Sequence, residues 1–199
     1  MSKRYDRAYF RRWYHNPRTR ISSTRVLERK VHLAVSAAEY VLGRRIRTVL
    51  DVGCGETPWA DVLKTMRRGV GYVGVDSSEY AVRTFGRRGR VRQGTFGTLR
   101  ALRLRTGFDL IVCADVLQYV PDVELAPGLR AIRDLLGGLA YIEAFTRDDD
   151  MEGDVEGWHV RSAATYRRLF RNAGLAHCGL HCFVDPRKLT GLNEMELTR

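Results

Sequence analysis

From Thr24 to Leu42 the apolar residues Leu27, Val31, Ala34, Val35, Ala38, Val41 and Leu42 recur every three to four positions, and Gly43 follows them. That spacing predicts a helix with one buried face, stopped at its C-terminus by the glycine. Beyond it the pattern changes to short, continuous apolar runs at 47–52, 70–75, 89–93, 108–114 and 138–145. The segments between them mostly read as helices, over 58–67, 78–86 and 127–136. Strands that are apolar throughout and alternate with helices predict parallel pairing through βαβ crossovers, with both sheet faces covered. The expected fold class is therefore α/β, a Rossmann-like, doubly wound, mostly parallel sheet with helices on both faces, preceded by an N-terminal helical arm. A further helix is expected at about 162–172, opening at Ser162, carrying Tyr166, Leu169 and Phe170, and ending at Asn172-Ala173-Gly174. A strand over 175–184 follows it, and the tail with Pro186 and Gly191 has room for one short last strand.

Two segments fall outside this rhythm. Residues 3–20 interleave Tyr5, Tyr9, Phe10, Trp13 and Tyr14 with basic side chains and end at Asn16-Pro17, which breaks any helix begun before it. Such an arm can cover a small substrate, stack on nucleic-acid bases, or pack its rings on the body, and a lid is the reading we carry forward. Residues 147–157 are strongly acidic and read as a mobile loop. Trp158 and His159 follow, either closing over a site or anchoring that loop. With 199 residues, 44% of them hydrophobic, one domain can bury a sizeable core without disulfides or metal. We divide it into the arm, 1–44, and the α/β core, 45–199.

Chemistry concentrates where the first core strand ends. Val49 to Trp59 is an apolar strand running into a glycine turn at Gly53 and Gly55, then into Thr57-Pro58. The glycines permit a tight turn and close approach of a ligand. Thr57 is expected as the helix N-cap and Pro58 as its first residue. A dinucleotide site would want a third glycine where this chain has Pro58. The second strand ends at Asp76, 21 residues after Gly55, where a carboxylate can accept both hydroxyls of a ribose.

The run Asp51, Gly53, Gly55 resembles the D-x-G-x-G motif of class I S-adenosylmethionine-dependent methyltransferases. Tyr72 to Asp76, and Phe108 to Asp115 with the following Val116 to Asp122, resemble that family's second and fourth strand segments in the same order. The resemblance implies S-adenosylmethionine as cofactor and S-adenosylhomocysteine as product. It also implies a pocket of Asp51, Gly53, Cys54, Gly55 and Trp59, of Asp76 and Ser77, of Thr95 and Phe96, and of Ala114 and Asp115. Two positions depart from it. Gln93-Gly94-Thr95-Phe96 lacks the acid that many members place against adenine, leaving backbone amides or Phe96 to hold the base. Tyr119 stands where many relatives carry histidine.

Methyl transfer from a sulfonium needs a nucleophile held in line and water kept out. A hydroxyl or a protonated amine would also need a base, for which the candidates are Glu143, His159 and Tyr119. Asp115 and Glu143 lie at carboxyl ends of strands, where sites in such sheets form, whereas Asp109 lies at a starting end and reads as structural. His177-Cys178 and His181-Cys182, read as one extended strand, put histidines and cysteines on opposite sides, so no metal site is expected. The net charge of +11 would draw polyanions, but it is nearly all arginine spread along the chain, with lysine only at 3, 30, 64 and 188. A small-molecule substrate is the leading expectation. A nucleic-acid (RNA) methyltransferase using the basic arm, or a non-catalytic binding domain of the same fold, are the alternatives. No apolar run reaches bilayer length, and Cys54, Cys113, Cys178 and Cys182 suit buried thiols, so no membrane partner and a cytoplasmic location are expected. The sequence leaves the oligomeric state open.

Overall fold

The computed structural model describes residues 3–19, 23–87, 90–150, 153–189 and 191–197. Arg20, Gly89 and residues 151–152, which fall in the expected arm, third strand and acidic loop, lie outside them. The chain opens with α1 (Arg7–Phe10), which runs on as a wider π-type turn, Arg11–His15. Asp6 caps it by accepting the amide of Tyr9 at 2.9 Å. Helix α2 (Thr24–Leu42) begins at Ser23, whose hydroxyl accepts the Val26 amide, and ends at Gly43 with φ 63°. Then come β1 (Thr48–Val52), α3 (Pro58–Met66), β2 (Gly71–Asp76), α4 (Glu79–Phe85), β3 (Val91–Gln93), β4 (Phe108–Cys113), α5 (Asp122–Leu135) and β5 (Leu136–Ile142). Helix α6 (Ala163–Ala173) and the strands β6 (Ala176–His177) and β7 (Cys182–Val184) close the fold.

Among the described residues the strands form one seven-stranded sheet in the order β3-β2-β1-β4-β5-β7-β6. The pairs among β1 to β5 are parallel, and β7 is antiparallel to both β5 and β6. The order reverses between β1 and β4, the topological switch point at which ligands bind beyond the strand ends in such sheets. Alternation along the strands feeds two cores. Val49, Leu110, Val112 and Tyr141 pack under α2 and α3, with Val31, Val35, Ala38 and Leu63 fully buried among them. Leu50, Ile111, Cys113 and Ala140 face Leu125, Leu129, Ile132 and Phe170 of α5 and α6. The order, strand directions and two-sided burial are those of a Rossmann-like methyltransferase sheet.

The structure corrects several expectations. The single strand over 175–184 is a hairpin, because Gly179, Leu180 and His181 all adopt positive φ, 86°, 47° and 63°. These reverse the chain so that the Cys178 amide donates to the Cys182 carbonyl at 2.8 Å. The argument that histidines and cysteines lie on opposite sides of one strand therefore lapses. The tail carries a short 3₁₀ turn, Glu194–Glu196, in place of a strand. Helix α5 starts at Asp122 rather than at 127, with Pro127 inside it. That proline gives up one helical hydrogen bond, to the carbonyl of Val123, a residue that is 82% exposed. Thr57 precedes α3 with φ 63° and no side-chain cap. Helix α2, grouped with the arm on sequence, belongs to the helix layer of the core.

Candidate functional site

The turn after β1 is built around its glycines. Gly53 (φ 77°) and Gly55 (φ 47°) sit in left-handed conformations that other residues adopt only at a cost. Their missing side chains also make room. A Cβ on Gly53 would fall 2.2 Å from Val116 Cγ2, and one on Gly55 2.9 Å from the Phe10 ring. The amides of Gly53 and Cys54 donate to the Val75 carbonyl at 2.7 and 3.2 Å, fastening the turn to β2. Cys54 and Trp59 are buried beside it, the indole 5.5 Å from the Tyr141 ring. Asp51 accepts the Tyr72 hydroxyl at 2.7 Å. Burial pushes its carboxyl up to about 7; the Tyr72 bond opposes this and Asp76 adds to it.

At the end of β2, Asp76 accepts the amides of Gly55 and Ser78 at 2.7 and 2.8 Å. Burial raises its carboxyl above the ordinary range, against these amide bonds. Next to it lies a cavity of about 200 Å³, with Gly53, Gly55, Asp76 and Ser77 on one wall, Thr95, Phe96 and Glu124 on another, and Tyr5, Tyr9 and Phe10 over the top. Phe96 is only 4% exposed, its ring resting where a side chain on Gly128 would be. An acid from α5 reaches the loop after β3. Glu124 accepts Thr95 Oγ1 at 2.8 Å and the Gly97 amide at 3.0 Å.

Two further cavities, each about 210 Å³, adjoin the first. One runs past Asp51, Gly53, Cys54, Gly55, Trp59 and Ala114 to Lys30. The other is bounded by Gln118, Tyr119, Phe145, Asp150, Asp154 and Trp158. Tyr14 and Asp115 line all three. Asp115 is held at this junction with φ 59°. Burial raises its carboxyl to about 6, Glu143 adding to the rise and Lys30 opposing it.

The arm closes the site through aromatic and charged contacts. Phe10 packs on Tyr9, Tyr14 and Tyr80 with centroid separations of 5.6, 5.5 and 5.7 Å. Ser78 Oγ donates to the Tyr5 carbonyl, tying the arm to the loop after β2. Lys3 Nζ lies 4.0 Å from the Tyr119 ring centroid, forms an ion pair with Asp154 and donates to the Glu156 carbonyl at 2.8 Å. Tyr119 in turn donates its hydroxyl to the Asp154 carbonyl at 2.6 Å. The loop expected to be mobile is thus pinned at Asp154, and Trp158 stacks on Phe145 with centroids 6.1 Å apart.

Of the three candidate bases, none stands free at the junction. Glu143 is buried in an ion pair with Lys30 at 2.7 Å and lines none of the three cavities. His159 is exposed and outside them, its amide donating to the Gln118 carbonyl at 2.7 Å. Tyr119 lines two, but burial raises its hydroxyl and its proton is committed to Asp154. The residues that sequence reasoning missed are Glu124, Lys30, Lys3 and Gln118. Glu124, Lys30 and Lys3 reach the site from helices or an arm distant in sequence, with no motif to mark them, whereas Gln118 lies in the segment after β4, between Asp115 and Tyr119. A larger cavity, about 840 Å³, lies elsewhere, between α6, the β6–β7 hairpin and the tail. It contains neither the glycine turn nor Asp76 or Asp115. Among the described residues no three histidine, cysteine or acidic side chains cluster as a metal site, and no helix is long and apolar enough to cross a membrane.

A glycine turn, a strand-end acid and a covered cavity thus meet at the switch point of a class I methyltransferase fold. The profile of a family described as a methyltransferase domain matches residues 11–194, and the chain belongs to that family. Solved structures share the fold. An S-adenosylmethionine-dependent methyltransferase from Archaeoglobus fulgidus superposes with a TM-score of 0.57 at 16% identity, over 77% of this chain and 70% of that one. The plantazolicin methyltransferase BamL, solved with a triazolic desmethyl analogue and S-adenosylhomocysteine, gives 0.59 at 14% identity, over 84% and 70%. The N,N-8-amino-8-demethyl-D-riboflavin dimethyltransferase of Streptomyces davawensis gives 0.56 at 18% identity, over 78% of this chain but half of that one. No curated protein sequence matches the chain.

Proposed function

We propose that this chain transfers the methyl group of S-adenosylmethionine to a small molecule, with the three joined cavities as its working site. The observation that carries this reading is their meeting at Asp115 and Tyr14. Two of them suit the two ends of the cofactor, and the third remains for an acceptor. Asp76 would take the ribose hydroxyls, exchanging its present amide partners for them, and Ser77, Thr95, Phe96 and Glu124 would border the base. Asp51, Gly53, Cys54, Gly55, Trp59 and Ala114 would line the amino-acid end. There the Asp51 carboxyl, raised by burial, would be drawn back to its ionised form by a cationic amino group. The fit is supported by the two glycines, where side chains would collide with Val116 and Phe10.

When bound, the cofactor supplies an electrophilic methyl on a sulfonium. The chain's part is to orient and to exclude water. Tyr5, Tyr9, Phe10 and Tyr14 cover the site, and Lys3 holds that cover to the loop at Asp154. A small acceptor is favoured over nucleic acid because the compartment left for it is about 210 Å³ and carries Asp115, Asp150 and Asp154, which would repel a phosphate backbone. The test is calorimetric titration with S-adenosylmethionine and S-adenosylhomocysteine, with Asp76→Ala as control. Micromolar binding weakened at least tenfold in the variant is expected. Absence of binding by the wild type would sink the proposal.

A further inference from the structure

The cavity of about 840 Å³ between α6, the β6–β7 hairpin and the tail takes no part in the site described above. Its size is that of a pocket for a small organic ligand. The inner wall is apolar, from Tyr166, Phe170, Leu175 and Phe183 of the body to Leu192 and Leu197 of the tail. Its rings adjoin one another, Tyr166 stacked on Phe170 at 6.3 Å and Phe170 against Phe183 at 4.2 Å. Beside this apolar row α6 carries a basic one. Arg167 and Arg171 stand four residues apart, hence on one face of the helix, and both line the cavity although they are exposed residues. Among the described residues neither guanidinium pairs with an acid, whereas those of Arg44, Arg67, Arg161 and Arg187 are each matched to a carboxylate. Burial holds the His177 imidazole, on the same wall, below its ordinary value, and His181 and Arg167 push the same way. The Arg167 charge is therefore felt inside the cavity. Against the two guanidiniums the lining carries one carboxylate, Glu194 of the tail, which leaves an excess of one positive charge.

We propose that this cavity is a second binding site, for an organic monocarboxylate whose apolar body lies along Tyr166, Phe170 and Phe183 and whose carboxylate is held by Arg167 and Arg171. A guanidinium is a planar fork that meets a carboxylate in two parallel hydrogen bonds. An excess of one positive charge is balanced by a monoanion and overshot by a doubly charged phosphate monoester. An alcohol buries the same body without a charge partner, and an amine is repelled by the guanidiniums. The apolar wall supplies the affinity, and the arginine pair chooses the head group. The site is separate from the three joined cavities, since no residue lines both. The segment leaving β5 forms the partition. Ile142, Ala144 and Thr146 line the large cavity, whereas Phe145 lines the acceptor compartment and Glu143 pairs with Lys30. The proposal does not depend on the methyl-donor reading.

The test titrates the whole chain, by calorimetry, with 2-naphthoate, 2-naphthalenemethanol and 2-naphthylmethylamine, which share a fused ring and differ in the head group. The acid is expected to bind at least tenfold more tightly than the alcohol, equivalent to about 1.4 kcal/mol, with the amine weakest. Arg167→Gln/Arg171→Gln should cut that advantage to about threefold or less and leave the alcohol unchanged. A net charge of +11 attracts any acid, so the control is Arg130→Gln/Arg168→Gln. It removes the same charge from exposed positions of α5 and α6 that do not line the cavity, and should keep the advantage. Ala176→Phe, which fills the cavity from β6, should weaken acid and alcohol alike. An alcohol or amine bound as tightly as the acid, an advantage lost equally in both arginine pairs or in neither, or displacement of the acid by S-adenosylhomocysteine overturns the proposal. No acid binding at millimolar concentration does so too, and a dimer seen by light scattering that Ala176→Phe abolishes would then give this face to a second copy. Should Ala176→Phe fail to fold, the two arginine pairs decide.

Discussion

Replacing Phe10 by alanine separates a lid from an ordinary core residue. The ring is 4% exposed although it belongs to a short arm. It sits against Gly55, whose Cβ position is 2.9 Å from it. A phenylalanine buries roughly 200 Å², and at roughly 25 cal/mol per Å² its removal forfeits at most about 5 kcal/mol. Lys3 and the Ser78–Tyr5 bond still hold the arm. We therefore take about 3 kcal/mol, the lower end for Phe→Ala. Because the arm can lift without unfolding the sheet, this loss should appear as local opening rather than global instability. Release of S-adenosylhomocysteine, followed by stopped flow, should quicken by roughly 100-fold. Amide exchange should rise over residues 7–15 and leave β1 and β4 protected. A thermal midpoint lowered by several degrees with an unchanged release rate would refute the lid.

Three shorter predictions follow from the same geometry. Gly53→Ala combines a left-handed backbone with a 2.2 Å collision against Val116; S-adenosylmethionine affinity should fall at least tenfold, with partial recovery in Gly53→Ala/Val116→Ala measured by calorimetry. Asp109 is drawn upward by burial, but the Arg44 guanidinium and the amides of Arg47 and Thr48 hold its carboxyl below the ordinary range. Its contribution is thus present above the unfolded value of about 3.9 and is lost as pH falls through the lower folded value. Asp109→Ala should cost about 3 kcal/mol in urea unfolding at pH 7, and the gap to wild type should close on acidification. Lys3→Met should raise exchange in residues 153–157 and speed S-adenosylhomocysteine release by about fivefold, the loss of about 1 kcal/mol from a partly buried pair.

The fold was legible because two-sided strands carry a strong signal. Leu110, Ile111, Val112 and Cys113 are all fully buried, so β4 had no polar face to confuse the pattern. Helix α2 was legible from its apolar spacing and from Gly43, which ends it; the Ser23 cap at its start emerges only in the structure. The hairpin at 179–181 was not, because Leu180 and His181 adopt positive φ without a residue type that advertises it. Pro127 misled in the opposite direction, looking like a helix start while standing in the second turn of α5. Within the candidate site, the placement of Gly53, Gly55 and Asp76 at the ends of β1 and β2 was readable because strand-to-turn geometry dictates their type. Glu124 was not readable. It reaches Thr95, 29 residues earlier, from α5, and only packing brings it there. The same holds for Asp115 as the junction of three cavities, a role that needs Tyr14 of the arm and Trp158 of the loop to be in place.

Tyr119 raises a last question, whether arm and loop form one gate or two. Its ring lies beneath the Lys3 ammonium, its hydroxyl bonds the Asp154 carbonyl, and Lys3 pairs with the Asp154 carboxylate. Its side chain also lines both the cavity assigned to the base and the one assigned to the acceptor. Lifting the arm removes a cation from the ring and a counter-ion from the loop at once, so opening on one side should loosen the other. Tyr119→Phe keeps the ring under Lys3 and deletes the hydroxyl, which bonds the Asp154 carbonyl and also meets Trp158 and Tyr9, at a cost of about 1 kcal/mol. A double-mutant cycle with Lys3→Met, read on S-adenosylhomocysteine release, isolates the coupling. One gate predicts that the double variant releases distinctly less rapidly than the product of the two single effects, because the first opening already frees what the second would. Two independent flaps predict additivity within about 0.5 kcal/mol. Additivity would mean that the cofactor can leave while the acceptor compartment stays closed, and would remove the structural reason to expect the cofactor to bind first and its product to leave last.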